Sequence, residues 1–265
     1  MPIELHEPVV ALMREVGRDI IMPRYQNLRA EDVSEKAVDD FVTIADKESE
    51  IRLAEGLADI LPEAGIIGEE ACAADPTILE RAGQGLNWII DPIDGTGNFA
   101  TGEPPFGIMI ALADAGATLA GWILDPLTGR LCHAILGAGS HIDGQQVHAR
   151  ESGDDMPVAA LAVYFMTPEE RADIQRRSAG QFALVDIPRC AAEQYPRLVL
   201  GQNDVSVFSR TLPWDHAAGT LFLNEAGGCC QRLDGSPYMV GDLRRGLLGA
   251  SSPRLWELAA DKLFR

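Results

Sequence analysis

The chain has 265 residues, of which 46% are hydrophobic and 23% charged, so it is long enough to bury the core of one large domain or of two closely packed subdomains. Its formal net charge of −18 repels polyanions, which argues against nucleic acid or an anionic membrane as a partner. The five cysteines form no Cys-x-x-Cys pair, and we find neither a signal sequence nor an apolar run of membrane-spanning length. We therefore expect reduced thiols and a cytoplasmic location.

The first half of the chain predicts two helices followed by a series of strands. Apolar residues recur at helical spacing over 5–20 and again over 51–60. Residues 41–46 are expected to end a short loop or strand, and the glycine-rich segment 137–144 to be a loop that marks a subdomain boundary. Short apolar strands are predicted over 64–67, 86–90, 106–112, 119–124 and 131–136.

The second half mixes both kinds of element again. Strands are predicted over 159–165, 184–187 and 205–208. Helices are predicted over 168–177, over 215–226 and from residue 253 onward. Strands and helices alternate along the whole chain without a strict period, which is typical of an α/β (α+β) fold.

Two carboxylates lie close together after the predicted strand 86–90. Asp91 comes at the end of that strand, and Asp94 with Gly95 suits a tight turn. The two side chains can converge on one point with the carbonyl of Ile93 between them, and such oxygen ligands are the ones that Mg²⁺ prefers. The alternative is that Asp94 caps a helix that starts near Gly95.

Two further acidic sites follow the same pattern. Glu69 and Glu70 come after the apolar strand 64–67, and Asp215 starts a predicted helix whose next residues, 217–219, are small. Asp215 alone is equally explained as a helix cap. Like charges that are packed closely repel each other unless a cation or a proton lies between them. Three acidic sites at the ends of strands or helices together predict one oxygen-rich metal centre.

Two long motifs give the chain a resemblance to a known family. Residues 88–99 (Trp-Ile-Ile-Asp-Pro-Ile-Asp-Gly-Thr-Gly-Asn-Phe) and 214–219 (Trp-Asp-His-Ala-Ala-Gly) resemble the two signatures of the inositol monophosphatase family. The Gly-Glu-Glu element at 68–70 and the Thr-x-x-Asp element at 43–46 resemble two shorter elements of that family. Order and approximate spacing agree for all four, so the resemblance covers nearly the whole chain.

The resemblance implies an activity and a fold. The activity is Mg²⁺-dependent hydrolysis of phosphate monoesters of small polyols or sugars. The fold is a layered αβαβα sandwich with two sheets. An N-terminal subdomain over 1–145 would carry most of the metal ligands, and a C-terminal subdomain over 146–265 would supply Asp215 and the contacts that set specificity. The resemblance also implies a homodimer and inhibition by Li⁺.

The resemblance further implies a metal site. Two to three Mg²⁺ ions would be bound by Glu69, Asp91, the carbonyl of Ile93, Asp94 and Asp215, with Asp91 bridging two of them. Bound divalent cations lower the pKa of water and stabilise the entering and leaving oxygens of an in-line displacement.

The implied catalytic residues are Glu69, Thr96 and Asp46. Thr96 would hydrogen-bond Asp46, and together they would orient the attacking water. The backbone N–H groups of Gly95 and Thr96 would face the phosphate, since a helix start favours an anion.

The substrate contacts depart from the family pattern. Inositol-selective members often carry a Glu a few residues before the second signature, whereas this chain has Ser209 near that position, which puts a preference for inositol phosphate in doubt. Glu193, in a segment that resembles the wall of the polyol pocket, and Arg210 are either substrate contacts or surface charges. Lys36 either adds positive charge near the phosphate or is a solvated surface lysine.

Alternative substrates within the same class are histidinol phosphate, fructose 1,6-bisphosphate and a nucleotide phosphate. An alternative of another class is a regulatory protein that keeps the fold and binds a partner without catalysis. The intact set of acidic residues argues against that alternative. Neither a Gly-x-Ser-x-Gly elbow nor a Cys-x5-Arg phosphate loop occurs, so no protein nucleophile is indicated.

Overall fold

The computed structural model describes residues 2–37 and 40–265, and the side chains over 3–35 and 41–265. Lys36 therefore lies outside the described side chains. The five helices predicted from apolar spacing are confirmed, and three further short ones are present. The helices of the described residues are α1 (Pro2–Val16), α2 (Ile44–Ile60), α3 (Glu69–Ala74), α4 (Thr96–Thr101), α5 (Pro168–Ser178), α6 (Ala191–Val199), α7 (Pro213–Glu225) and α8 (Pro253–Leu263).

A seven-stranded sheet follows the chain order from its first strand to its last. Its first two strands pair in parallel, and all later neighbours pair antiparallel. The strands are β3 (Gly65–Gly68), β4 (Leu86–Asp94), β5 (Gly107–Asp114), β6 (Ala117–Leu124), β7 (Leu131–Ile135), β8 (Gly139–Ile142) and β9 (Gln145–Val147).

A five-stranded mixed sheet lies in the second half of the chain, in the order β11-β10-β12-β14-β13. Its strands are β10 (Val158–Ala162), β11 (Ala183–Val185), β12 (Val205–Phe208), β13 (Cys229–Arg232) and β14 (Leu247–Ala250). The two predicted sheets are thus confirmed, and a small antiparallel pair, β1 (Val33–Ala37) with β2 (Asp40–Thr43), is present beside them.

The layers follow from the alternation of side chains along the strands of the seven-stranded sheet. Since successive residues of a strand point to opposite faces, Trp88 and Ile90 of β4 pack with α1 and α2, whereas Ile89 packs on the other face with α6 and α7. The other side of the α6–α7 layer packs on the five-stranded sheet through Phe208 and Leu247. Helices α5 and α8 cover the remaining face of that sheet. The order of layers is αβαβα, as predicted.

The prediction of a loop over 137–144 is wrong, because β8 occupies 139–142 in the middle of the β7–β8–β9 meander. Its glycines misled the sequence analysis: Gly137 and Gly139 have positive φ angles and flank a tight turn rather than a long loop. Ser140 is fully buried and donates to the carbonyl of Phe222 at 2.6 Å, which fixes β8 against α7. The division of the chain near residue 145 stays a prediction.

The five cysteines are free. Among the described residues, no helix is long and apolar enough to span a bilayer.

Candidate metal centre

Strand β4 delivers two carboxylates to one place. Strand β4 runs past its predicted end at residue 90 and continues through Asp94, and the predicted tight turn follows at Gly95. Asp91 pairs with Met109 and Asp94 with Gly107, so three steps along β4 match two steps along β5. This one-residue bulge reverses the alternation of side chains. Residues three apart would otherwise point to opposite faces, and the bulge lets both carboxylates face the same site.

Gly95 makes the turn that follows. Its φ of 85° lies in the left-handed region, and a Cβ there would come within 2.9 Å of the carbonyl oxygen of Pro105. Only glycine meets both conditions without strain. The chain then enters α4 at Thr96, whose hydroxyl lies 2.8 Å from the carbonyl oxygen of Ile93. The turn therefore sets Ile93 and Thr96 beside the two carboxylates.

Asp46 lies in the first turn of α2 rather than at the end of a loop or strand. Its Oδ2 accepts the backbone N–H of Thr43 at 2.8 Å in a reciprocal capping arrangement. Its Oδ1 accepts the hydroxyl of Thr96 at 3.0 Å, so the hydrogen bond predicted between these residues is present. Burial raises the pKa of Asp46 to about 6, against the effect of these hydrogen bonds. The Asp46 side chain therefore both caps α2 and belongs to the site.

Glu69 begins α3 and is held there by a residue that the sequence analysis missed. Both carboxylate oxygens of Glu50, on α2, accept backbone N–H groups at the start of α3, from Glu70 and Ala71 at 2.7 Å each. Gly68 makes this approach possible, because a Cβ at that position would lie 2.3 Å from Cδ of Glu50. Glu50 is buried, and its position four residues after Asp46 on the same helix was the available signal.

Asp215 lies in the first turn of α7, which starts at Pro213. Side-chain oxygens of Asp91, Asp94 and Asp215 all lie within 4.8 Å of one another. Segments more than 120 residues apart therefore meet at one point, as the sequence motifs predict. Glu69 lines the same cavity but is not part of this group of three.

The charges of this cluster oppose one another. Burial, followed by the charges of Glu69 and Asp94, raises the pKa of Asp91 well above its usual range. Burial and then the charge of Asp215 raise the pKa of Asp94 to about 7. One oxygen of Asp91, Oδ1, is buried without a hydrogen-bond partner. Since buried acceptors normally have a donor, an unpaired oxygen among repelling carboxylates fits a hard divalent cation.

Residues at the start of α6 fix the orientation of Asp94. Its Oδ2 accepts the backbone N–H of Ala192 at 2.6 Å and the thiol of Cys190 at 3.0 Å. Burial and the neighbouring Asp94 raise the pKa of Cys190 well above its usual range, so the thiol keeps its proton and donates it. Helix α6 was not predicted, and these two contacts were therefore missed.

The carboxylates line a cavity of about 360 Å³ that also reaches the five-stranded sheet. Gln194 lines it and is buried, with its Nε2 donating to Ser206 Oγ at 2.7 Å and its Oε1 unpaired. Ser209 also lines the cavity, and its hydroxyl donates to the carbonyl of Ala162 at 3.0 Å. The remaining wall is aromatic and basic, and its residues are Tyr164, Phe165, Phe208, Arg189 and Arg210.

Of the two predicted substrate contacts, the structure brings one to the cavity. Arg210 lines it, with its guanidinium 4.5 Å from the ring centre of Phe165. Glu193 does not line it, which corrects the prediction. Its carboxylate accepts from Arg130 at 2.6 Å and from Arg197 at 2.8 Å, and its side chain is only 16% exposed. Two arginines thus pair with it, outside the set of residues that line the cavity.

Three residues of the two signature motifs are buried. Trp88 and Trp214 are buried beneath their motifs. His216, next to Asp215, is buried with the hydroxyl of Tyr195 at 2.9 Å from Nδ1 and the carbonyl oxygen of Arg210 at 3.0 Å from Nε2. The carbonyl can only accept, so Nε2 donates to it, and Nδ1 accepts from the tyrosine. The imidazole is neutral and links α7 to α6.

Comparison with known proteins shows which family the chain resembles in sequence. The family model described as inositol monophosphatase family matches residues 4–263. The inositol-1-monophosphatase of Bacillus subtilis is 30% identical over 242 residues, which cover 89% of this chain and 88% of that protein. The histidinol-phosphatase of Chlorobaculum parvum is 33% identical over 232 residues, which cover 86% of this chain and 85% of that protein.

A solved structure supports the same fold. The extragenic suppressor protein SuhB of Bartonella henselae superimposes with a TM-score of 0.83 and covers 99% of both chains. At 24% sequence identity, this likeness shows the fold alone.

Proposed function

The chain belongs to the inositol monophosphatase family, whose members are phosphatases, and we propose that it hydrolyses phosphate monoesters of small polyols or sugars with Mg²⁺. The observation that carries this proposal is the group of three carboxylates within 4.8 Å of one another, which are mostly buried and line a cavity of about 360 Å³. Such a group is stable when divalent cations neutralise it.

The residues that would hold the ions are Glu69, Asp91, the carbonyl of Ile93, Asp94 and Asp215. The unpaired Oδ1 of Asp91 would supply one of the ligand oxygens. When bound, Mg²⁺ supplies positive charge to the phosphate and lowers the pKa of water. The cations also reverse the local field, which in a chain of net charge −18 would otherwise repel a phosphate.

Thr96 and Asp46 orient the attacking water. The Thr96 hydroxyl has one proton and two acceptors in reach, Asp46 Oδ1 at 3.0 Å and the carbonyl of Ile93 at 2.8 Å. Because its proton is directed to these acceptors, Oγ1 turns a lone pair outward and can accept a proton from water. Asp46 is a carboxylate above a pH of about 6. It can accept the hydroxyl proton of Thr96 when Thr96 takes a proton from water.

The phosphate is held by the turn that joins β4 to α4. The N–H of Gly95 and that of Thr96 have no carbonyl partner within α4, since they belong to its first turn. They are the donors that we assign to the phosphate oxygens.

A panel of phosphate-release assays tests the proposal. Wild type is assayed on inositol phosphate, histidinol phosphate, fructose 1,6-bisphosphate and a nucleotide phosphate, each with Mg²⁺ and with EDTA. We expect Mg²⁺-dependent release, and a loss of about 10²–10³-fold or more in Asp94→Asn, because a preorganised charge is removed from the site. Asp59→Asn, an exposed residue of α2, is the matched control. Equal turnover by wild type and Asp94→Asn would contradict the assignment of this site, whereas no Mg²⁺-dependent release from any substrate would favour a non-catalytic binding protein instead.

We also propose that the protein is a cytoplasmic homodimer and that Li⁺ inhibits it. These proposals rest on membership of the family. Light scattering measures the assembly, and a monomer at micromolar concentration would contradict it. Activity that is unchanged by millimolar Li⁺ at limiting Mg²⁺ would contradict the inhibition.

A further inference from the structure

The cavity is lined by charged residues of two kinds. Its acidic residues are the four that we assign to the ions, namely Glu69, Asp91, Asp94 and Asp215, and we call them the acidic set. Among the described residues that line the cavity, the basic ones apart from His216 are Arg189 and Arg210, which we call the arginine set. The phosphate ester to be cleaved belongs with the acidic set and its ions. The arginine set therefore faces whatever is attached to that ester, which is the leaving group.

Each arginine of this set is held against an aromatic ring. The guanidinium of Arg189 lies 4.7 Å from the ring centre of Tyr164, and that of Arg210 lies 4.5 Å from the ring centre of Phe165. The two rings are neighbours in an edge-to-face arrangement, with 5.4 Å between their centres. A cation over an aromatic face is attracted by the ring and loses conformational freedom. Two guanidinium groups are thus preorganised at one wall of the cavity.

The backbone at Arg189 is strained, and its neighbours fix that conformation. Its φ of 53° is in the left-handed region, where a residue with a Cβ is rare. Asn98 donates to the carbonyl of Pro188 at 3.0 Å, and Cys190 is tied to Asp94 at 3.0 Å. Of the four described non-glycine residues with positive φ, Arg189 alone lines the cavity. Glycine adopts this conformation without strain, and strained residues cluster at ligand sites, so an arginine here points to a role for its side chain in the cavity.

We propose that the preferred substrate carries a second anionic group, a phosphate or a carboxylate, on its leaving group, and that Arg189 together with Arg210 binds that group. This inference rests on the proposed function of the same site. Guanidinium groups bind phosphate and carboxylate through paired N–H donors. An uncharged polyol would offer the two guanidinium groups no opposite charge, and the ammonium group of histidinol phosphate would be repelled by them. The class that fits is a sugar or nucleoside bisphosphate, or a phosphorylated acid.

A matched pair of substrates tests the inference. Fructose 1,6-bisphosphate and fructose 1-phosphate share the ester at C1 and differ in the second phosphate, and the product analysis reports cleavage at C1 only. We expect wild type to have a kcat/KM at least about tenfold higher for the bisphosphate, chiefly through a lower KM. Tenfold corresponds to about 1.4 kcal/mol.

Variants then assign the preference to Arg189. In Arg189→Gly, which suits the positive φ, we expect the ratio of the two kcat/KM values to fall at least fivefold and the melting temperature to be maintained or raised. Arg189→Lys should keep part of the preference because it keeps the charge. Arg18→Ala, which removes an exposed positive charge outside the cavity, is the control for net charge and should leave the ratio unchanged.

Two results would overturn the inference: a wild-type ratio near one, or an Arg189→Gly variant that loses activity on both substrates by the same factor. In either case, Mg²⁺-dependent release of phosphate from fructose 1-phosphate would still support the proposed function. If wild type releases phosphate from no substrate with Mg²⁺, it is the proposed function that fails.

Discussion

The acidic set and the arginine set line one cavity but are built in different ways. The acidic set comes from the ends of regular elements, and hydrogen bonds from other parts of the chain fix it: Glu50 fixes the helix of Glu69, and Cys190 with Ala192 fixes Asp94. The arginine set comes from loops, and stacking on exposed aromatic rings orients it. The first arrangement suits a reaction that every substrate shares. The second arrangement, on loops, suits contacts that differ from one substrate to another while the reaction stays the same.

Removal of the Thr96 hydroxyl should have the largest effect and tests whether the two sets act separately. In Thr96→Val we expect kcat to fall about 10²–10⁴-fold on every substrate, because the residue orients the water and does not touch the leaving group. The control is Thr101→Val, an exposed threonine of the same helix whose hydroxyl bonds only to backbone carbonyls. A loss that differed strongly between fructose 1-phosphate and its bisphosphate would contradict the separation of the two sets.

A smaller effect is expected from the thiol next to Asp94. Cys190→Ala removes one neutral hydrogen bond to Oδ2 and leaves that of Ala192. Such a bond is worth about 1 kcal/mol, so kcat/KM should fall roughly fivefold with the substrate preference unchanged. Cys229→Ala, at a partly exposed cysteine of β13, is the matched control. If Cys190→Ala changed the preference more than the rate, the thiol would act through the adjacent Arg189 instead.

The smallest effect is expected from His133, which lies outside the cavity. It concerns the stability of the fold at low pH and not the reaction. His133 is packed between His6 and His141, with ring centres 4.1 and 4.9 Å away. Burial, followed by the charges of these two histidines, lowers the pKa of His133 to about 4. The charged groups that influence His6 on α1 are Glu7 and Arg14. The unfolded chain therefore binds more protons between pH 4 and 6.5, and the free energy of unfolding decreases as pH falls through that window.

Because His133 is only partly buried, we expect an effect of at most about 1 kcal/mol, or about 2–4 °C in melting temperature. His133→Phe keeps an aromatic ring and should reduce the difference between the melting temperatures at pH 5 and pH 7.5. An unchanged difference would rule out His133 as its source. Activity lost at a pH where the fold is intact would then be assigned to the cavity.

The same contrast explains how far the sequence could predict the site. Asp91, Asp94 and Asp215 stand in continuous motifs, and the structure brings their carboxylates together as expected. The bulge that brings them together could not be predicted from the sequence, because the register depends on the pairing of β4 with β5. The turn at Gly95 was predicted, but the strand before it was ended four residues too early.

Residues whose role depends on tertiary contacts were missed or misassigned. Glu193 was left open between a substrate contact and a surface charge, and the structure pairs it with Arg130, 63 residues away in sequence. Arg189 begins the segment 189–193 that resembles the wall of the polyol pocket, but it was not singled out, since a positive φ at an arginine cannot be predicted from composition or periodicity. Tyr164 and Phe165 were assigned to the end of a strand, whereas β10 ends at Ala162 and leaves both rings at the cavity.

The central claim is that buried carboxylates repel one another unless a divalent cation is bound, and thermal unfolding of wild type and Asp91→Asn with EDTA or saturating Mg²⁺ tests it most directly. At 100 times its Kd, Mg²⁺ should stabilise wild type by about 2.7 kcal/mol, which corresponds to roughly 5–10 °C. Asp91→Asn should melt at a higher temperature than wild type in EDTA, because a repelling charge is gone, and should gain little from Mg²⁺. A wild type that is indifferent to Mg²⁺, or a variant that is destabilised in EDTA and still gains as much from Mg²⁺, would contradict the account.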